Sequence, residues 1–178
     1  MENMKILSKK RVFNHPWESI FIEQVKTDNG KIFDYLVSKP NNFVIIVPFL
    51  SNDKILMVKQ YKHGIKKELL GFPAGFINKK EKPLDAAKQE LFEETGYKFR
   101  KLKLITTLSE NPTRCRNKYF IVFAKNPKTN MSKYQNPDEI EGNIEKIIID
   151  KNDLNKKKLF KLIKAGPMLS VIPFIFSE

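Results

Sequence analysis

Glu90, Glu93 and Glu94 fall within one turn of each other in the stretch KQELFEETGY, Lys88 to Tyr97. On a helix these positions are i, i+3 and i+4, so the three carboxylates share a face. Like charges so placed disfavour a helix by roughly 0.2–0.5 kcal/mol per pair. A solvated face with Lys88 as partial counter-charge would tolerate this. A divalent cation would relieve it. Hard cations take oxygen ligands, and Mg²⁺ usually joins one or two carboxylates to waters and substrate phosphates. The chemistry open to such a face is metal-assisted work on a phosphate ester or anhydride.

A helix is expected from about Pro83 to Thr95. Proline suits a first turn. Leu84, Ala87 and Leu91 recur at helical spacing, and Gly96 is placed as a C-terminal stop. The apolar stripe is expected to lie away from the glutamates. Ahead of the helix runs the polar loop INKKEKP. The first third reads as antiparallel β: WESIFIEQV and KIFDYLVS flank Asn29-Gly30, a strong short hairpin signal. Pro40-Asn41-Asn42 marks a joint. FVIIVPFL is expected as a buried strand, and KILMVKQY returns after the turn SND. Strands resume with YKFRKLKLITTLS, KYFIVFAKN and IEKIIID. DLNKKKLFKLIKAG is expected as an amphipathic helix, with Leu154, Leu159, Phe160 and Ile163 inside and Gly166-Pro167 ending it. MLSVIPFIF packs last. The chain has no internal repeat.

The flanks of the glutamates carry a family resemblance. Gly75, Glu81 after five residues, and Glu90-Leu91-Phe92-Glu93-Glu94-Thr95-Gly96-Tyr97 match the Nudix hydrolase box, G-x5-E-x7-R-E-U-x-E-E-x-G-U with U a bulky apolar residue. The chain therefore resembles that family. Its arginine is Gln89 here, and Tyr97 is aromatic where an aliphatic residue is usual. The resemblance implies an α+β Nudix fold, a mixed β-sheet sandwiched between helices, with an N-terminal antiparallel β segment. It places that segment at 1–40 and the Nudix domain at 41–178. It implies Mg²⁺, with Mn²⁺ as a substitute. Glu90 and Glu94 would be the principal ligands. Glu93 would be a further ligand or a partner of the ligands, joined by the Ala74 carbonyl. Glu81 would orient the loop or bind another metal.

The segment VKQYK…ELLGFPAGF resembles the ADP-ribose pyrophosphatase and nucleotide-sugar branch. There Gln60-Tyr61-Lys62 stands for a Gln-Tyr-Arg motif, and Gly71 replaces a glutamate. Lys62 would touch a phosphate or the terminal ribose, and Phe76, next to Gly75, is a further candidate substrate contact. Pro112, fifteen residues past Tyr97, resembles the marker for ADP-ribose hydrolysis. Arg114 and Arg116 beside it are candidate phosphate contacts, since arginine forks suit phosphate. Members of the branch use the N-terminal β segment to build a homodimer, and Phe13 or Trp17 could stack on a nucleobase. A glutamate from a loop outside the box assists the attacking water, a role for which Glu139 and Glu141 both qualify. The expected substrate is a nucleoside diphosphate derivative, foremost ADP-ribose, giving AMP and ribose 5-phosphate.

Composition narrows the field. The chain has 178 residues, 41% hydrophobic, a length for one domain with a small appendage. Cys115 is its only cysteine, so no internal disulfide forms. With only His15 and His63 besides, a Cys/His zinc cluster is not expected. Net charge is +13, yet only four of the 33 basic residues are arginines and the lysines are scattered. That argues against nucleic acid as the main partner. A positive field still attracts anionic substrates. No signal peptide is expected from MENMKILSKKRVFNHPW, no apolar run is long enough for a bilayer, and a cytoplasmic protein is expected. Rival readings are a GDP-mannose-like nucleotide-sugar or diadenosine polyphosphate hydrolase, a catalytically weak nucleotide sensor (favoured by Gln89), and RNA decapping.

Overall fold

Asn29-Gly30 does turn the chain. In the computed structural model, which describes residues 4–128, 144–155 and 161–177, Gly30 has φ +82° and its N–H donates to the Thr27 carbonyl at 2.9 Å. A positive φ is the conformation glycine adopts at no steric cost. The turn joins β2 (Glu18–Lys26) to β3 (Ile32–Pro40), paired from Lys26↔Ile32 to Glu18↔Pro40. A further strand, β1 (Lys5–Asn14), pairs with β2 and was not foreseen. Its lysine-rich sequence lacks an apolar alternation, and it is exposed along its whole length. The turn between β1 and β2 is closed by reciprocal main-chain hydrogen bonds between His15 and Glu18.

The chain divides into two compact units. The first is Met1–Asn42 with Leu108–Tyr119, and the second is Phe43–Thr107 with Phe120–Glu178. The first unit thus takes in a segment that a division at residue 40 leaves to the second domain. The inserted segment docks by main chain. The Ser38 N–H donates to the Arg114 carbonyl at 2.8 Å, and the Arg116 N–H donates to the Ser38 carbonyl at 2.9 Å. The Tyr35 hydroxyl donates to the Thr113 carbonyl at 2.6 Å.

The second unit holds β4 (Phe43–Pro48), β5 (Lys54–Lys62), β6 (Lys67–Gly71), β7 (Ala74–Phe76), helix α1 (Pro83–Thr95), most of β8 (Phe99–Ser109) and β9 (Lys118–Pro127), and β10 (Glu145–Asp150). Two sheets result, ordered β7-β4-β9-β8 and β10-β5-β6. The apolar run of β4 is buried on both faces, as a central strand requires. Val44 and Ile46 point to the cluster formed by Ala86, Ala87 and Leu91 of α1 with Phe99, Val122 and Ala124. This packing fixes α1 over β4 and β7.

Two details of α1 differ from expectation. Leu84, in the first turn, is 40% exposed, and Ala86 is the buried residue there. Glu94 is buried with the stripe instead of facing away from it. The reason is the period: Ala87, Leu91 and Glu94 are i, i+4 and i+7, one face of a helix. The helix ends where expected. Gly96 is left-handed, φ +74°, and its N–H caps the Phe92 carbonyl at 2.8 Å.

Gly166-Pro167 opens a helix instead of closing one. After a 3-10 turn at Lys151–Asn155, α2 spans Gly166–Ser170 and α3 spans Ile172–Phe176, each with proline in its first turn. Proline has no N–H to contribute, and the first turn does not need one. Leu154 and Ile163 are buried as expected; Leu159 and Phe160 lie outside the described residues. Among the described residues no helix is long and apolar enough to cross a membrane.

Candidate functional site

Strand β7 crosses the glutamate face of α1, and main chain meets carboxylate there. The Ala74 N–H donates to Glu94 Oε2 at 3.2 Å. A Cβ added at Gly75 would stand 2.0–2.3 Å from the carboxylate carbon and oxygens of Glu90. Only a residue without a side chain lets that carboxylate lie against the strand. β7 is itself fixed by pairing with β4, Ile45↔Ala74 and Val44↔Gly75. The core that holds α1 on β4 therefore also sets both glutamates against Ala74-Gly75. Glu94 is 4% exposed. Burying a carboxylate is costly without compensation, and its position beside a main-chain donor is a deliberate feature of the packing.

The other acidic candidates are differently engaged. Gln89 Nε2 donates to Glu93 Oε1 at 3.0 Å, so the residue that replaces the box arginine still holds a box glutamate, without charge. Glu81 closes its own loop: its carboxylate accepts from the Asn78 N–H at 2.8 Å, and its N–H donates to the Asn78 carbonyl at 3.0 Å. Both contacts lie within the loop between β7 and α1. Among the described residues, no group of three or more His, Cys, Asp or Glu side chains forms a ready metal cage. Two carboxylates on one helix face beside main chain suit Mg²⁺, which is seldom caged by protein alone and takes substrate phosphates and water. The cradle at Gly75 and the all-oxygen donor set fit that ion.

Lys62 ends β5, half-buried, opposite Lys67 of β6. Phe76 ends β7 and is 50% exposed. The remaining candidates belong to the first unit. Trp17 is 55% exposed and meets His15 edge to face, with Phe13 stacked on the same imidazole. Pro112 and Arg114 lie in the exposed turn that starts at Asn111. Arg116 has a structural partner: its Nη2 donates to both oxygens of buried Glu23, at 2.7 and 2.6 Å, and Lys9 approaches the same carboxylate at 3.4 Å. Breaking a buried charge pair is costly, so Arg116 is committed to the fold of its unit. Glu139 and Glu141 lie outside the described residues.

Gly75 itself was read only as the start of the box. The signal that it matters was its fixed distance from Glu90, but only the crossing of β7 over α1 shows why a glycine is needed.

Comparison with known proteins agrees with this geometry. The NUDIX domain model matches residues 39–165. The chain is 32% identical over 108 residues to the ADP-ribose pyrophosphatase of Bacillus subtilis (strain 168), covering 61% of this chain and 58% of that one. It is 31% identical over 125 residues to ADP compounds hydrolase NudE of Escherichia coli (strain K12), covering 69% and 64%. The chain thus spans about three fifths of the length of these relatives. A crystal structure of an ADP compounds hydrolase superposes with a TM-score of 0.80 at 23% identity, over 98% of this chain and 92% of that one. That likeness is one of fold.

Proposed function

Because this chain belongs to the Nudix family, we propose that it hydrolyses the diphosphate linkage of a nucleoside diphosphate derivative, foremost ADP-ribose to AMP and ribose 5-phosphate. The single observation that carries the reading is the pair Glu90 and Glu94 set against Ala74-Gly75. The names of its relatives, an ADP-ribose pyrophosphatase and an ADP compounds hydrolase, support the substrate class.

Glu90 and Glu94 would hold Mg²⁺, or Mn²⁺ in its place, with the Ala74 carbonyl. When bound, the ion supplies Lewis-acid neutralisation of the diphosphate and activation of water. The chain's own part is positioning. The α1 core keeps Glu94 in place, Gly75 admits Glu90, and the Asn78–Glu81 closure shapes the intervening loop. Glu93 and Glu81 act by orienting these groups. Lys62 and Phe76 meet the substrate in this unit, and Glu141 or Glu139 assists the water. The unit containing β1–β3 serves a homodimer, and the protein works in the cytoplasm.

The test is phosphate release from ADP-ribose, GDP-mannose, NADH, diadenosine polyphosphates and capped RNA through a coupled phosphatase, with and without Mg²⁺. Glu94→Gln keeps an oxygen to accept from the Ala74 N–H, so its melting temperature should stay within a few degrees. Its turnover should fall at least about 100-fold, since even partners of metal ligands cost 10–100-fold. Wild-type hydrolysis that is indifferent to Mg²⁺ and to this substitution would refute the reading. A second reading, a nucleotide sensor, is favoured by Gln89, and it would appear as nucleotide binding without turnover that Gln89→Arg restores.

A further inference from the structure

Helix α1 carries its charges at the unfavourable end. The carbonyls of a last helical turn have no partner within the helix and give that end a partial negative charge, which cations answer and carboxylates worsen. Glu90, Glu93 and Glu94 stand in the last two turns of α1, and its last turn holds no basic residue. Gln89, where the family box has arginine, brings no charge either. The repulsion falls on the residues that the hydrolase reading needs in place.

A cation reaches this end from another strand. Lys146 of β10 donates from Nζ to the Thr95 carbonyl at 3.3 Å, across 51 residues of sequence. Thr95 is the last residue of α1 and directly follows Glu94. Its hydroxyl is used locally, donating to the Leu91 carbonyl and accepting from the Tyr97 N–H at 3.1 Å. The Phe92 carbonyl takes the Gly96 N–H. Lys146 thus answers a carbonyl at the helix end with the charge that end calls for.

Two ties therefore hold consecutive residues of α1, one from each sheet. β7, of the four-stranded sheet, holds the Glu94 carboxylate through the Ala74 N–H at 3.2 Å. β10, of the three-stranded sheet, holds the Thr95 carbonyl through Lys146. The base of Lys146 is fixed, because β10 pairs with β5 along its whole length and sets Lys146 opposite Val58. Val58 is in turn opposite Gly71 of β6. The core contacts of Ala87 and Leu91 seat the middle of α1. Helix ends fray, and Glu94 lies one residue from this one. A ligand-holding group must stay within about 0.5 Å of its working geometry. Resting on the hydrolase reading above, we infer that Lys146 is a positioning residue: it holds the last turn of α1, and Glu94 with it, in the ligand-holding arrangement.

The experiment compares the full chain with Lys146→Met, Lys146→Arg and Lys98→Met. Each is measured by ADP-ribose hydrolysis, by Mn²⁺ binding read from electron paramagnetic resonance, and by a thermal melt. Lys146 is exposed, so Lys146→Met, which keeps the stem and loses the donor, should fold. Its kcat should fall about tenfold with KM for ADP-ribose within about twofold, and its Mn²⁺ affinity should fall about tenfold, as for other groups that orient metal ligands. Lys146→Arg, still a cationic donor, should keep both within about threefold of the parent. Lys98→Met is the control. It removes the same charge near the same helix end, from an ammonium that lies on the Phe92 ring at 4.4 Å, and it should change neither. The sign of the Mn²⁺ shift decides. A cation that only repels the metal would, once removed, leave Mn²⁺ bound more tightly, and that result overturns the assignment. So does a lowered melting temperature with kcat and Mn²⁺ affinity unchanged, the mark of a purely structural tie. The two ideas fail separately: hydrolysis indifferent to Lys146 sinks the positioning role, and Lys146-dependent Mn²⁺ binding without hydrolysis sinks the reaction.

Discussion

A methyl group at Gly75 would collide with the Glu90 carboxylate, and the clash falls on the far end of a flexible side chain. Glu90 can swing aside, so Gly75→Ala should fold and melt within a few degrees of the parent. Displacing the proposed ligand by about an ångström should cost on the order of 100-fold in rate. Steady-state hydrolysis and a thermal melt of the same preparation check both halves: a stable protein with undiminished turnover would remove Glu90 from the site. The residues of this site were legible in the sequence because their spacing is local. Glu90, Glu93 and Glu94 share a helix, and a helix face follows from counting. Three things were not legible, and each is a contact across the chain. The carboxylate of Glu94 meets the main-chain N–H of Ala74 on β7, 20 residues away. Arg116 is spent on Glu23, 93 residues away. Gln60 is buried beside a cavity whose walls include Gly71 and Met168 of α2.

At the scale of elements, the turn chemistry and the periods were readable, and the edges were not. The Asn29-Gly30 hairpin, β4, β5, β8, β9, β10 and α1 stand where the sequence put them. β1, β6 and β7 did not announce themselves, because short or lysine-rich strands draw their stability from a neighbour. The end of α1 tests how far local chemistry matters. Gly96 is left-handed, and any L side chain there is strained by about 1–2 kcal/mol. Gly96→Ala should lower the melting temperature by roughly 2–8 °C, at 2–4 °C per kcal/mol for a domain of this size, measured by calorimetry. The three-stranded sheet carries an ionic clamp. Lys59 of β5 bridges Glu68 of β6 at 2.8 Å and Glu145 of β10 at 3.3 Å. Hydrogen bonds to Glu68 first, then to Glu145, raise its pKa above 10.5. A cation whose pKa rises on folding stabilises the fold below its unfolded value, and this is lost as the pH climbs through the folded value. Melting temperature should therefore fall above about pH 10.5, and Lys59→Met should flatten that alkaline limb while leaving the neutral region little changed.

The whole molecule carries +13 charges, which keep like chains apart, and an apolar surface, which draws them together. The surface is concentrated in the first unit. Phe13 is paired across the sheet with Ile20, and Ile22 with Leu36, so the four side chains share one face of the β1–β3 sheet. Phe13 and Leu36 are 49% and 43% exposed. Ile32, at the other end of that face of β3, is 55% exposed. Lys10, Gln24 and Asp34 share that face, but exposed apolar side chains gathered on one side of a thin sheet are a usual mark of an interface. The proposed homodimer is the occupant that needs no further component, and its symmetry would bring the same patch from each copy into contact. Wild-type protein should sediment at twice the chain mass at micromolar concentration, and more firmly at high salt, where the repulsion is screened. Leu36→Glu places a charge on that face at an exposed position, so it should sediment as a folded monomer. A wild-type monomer at these concentrations, or a Leu36→Glu dimer as tight as the parent, would show that this face serves something other than a second copy of the chain.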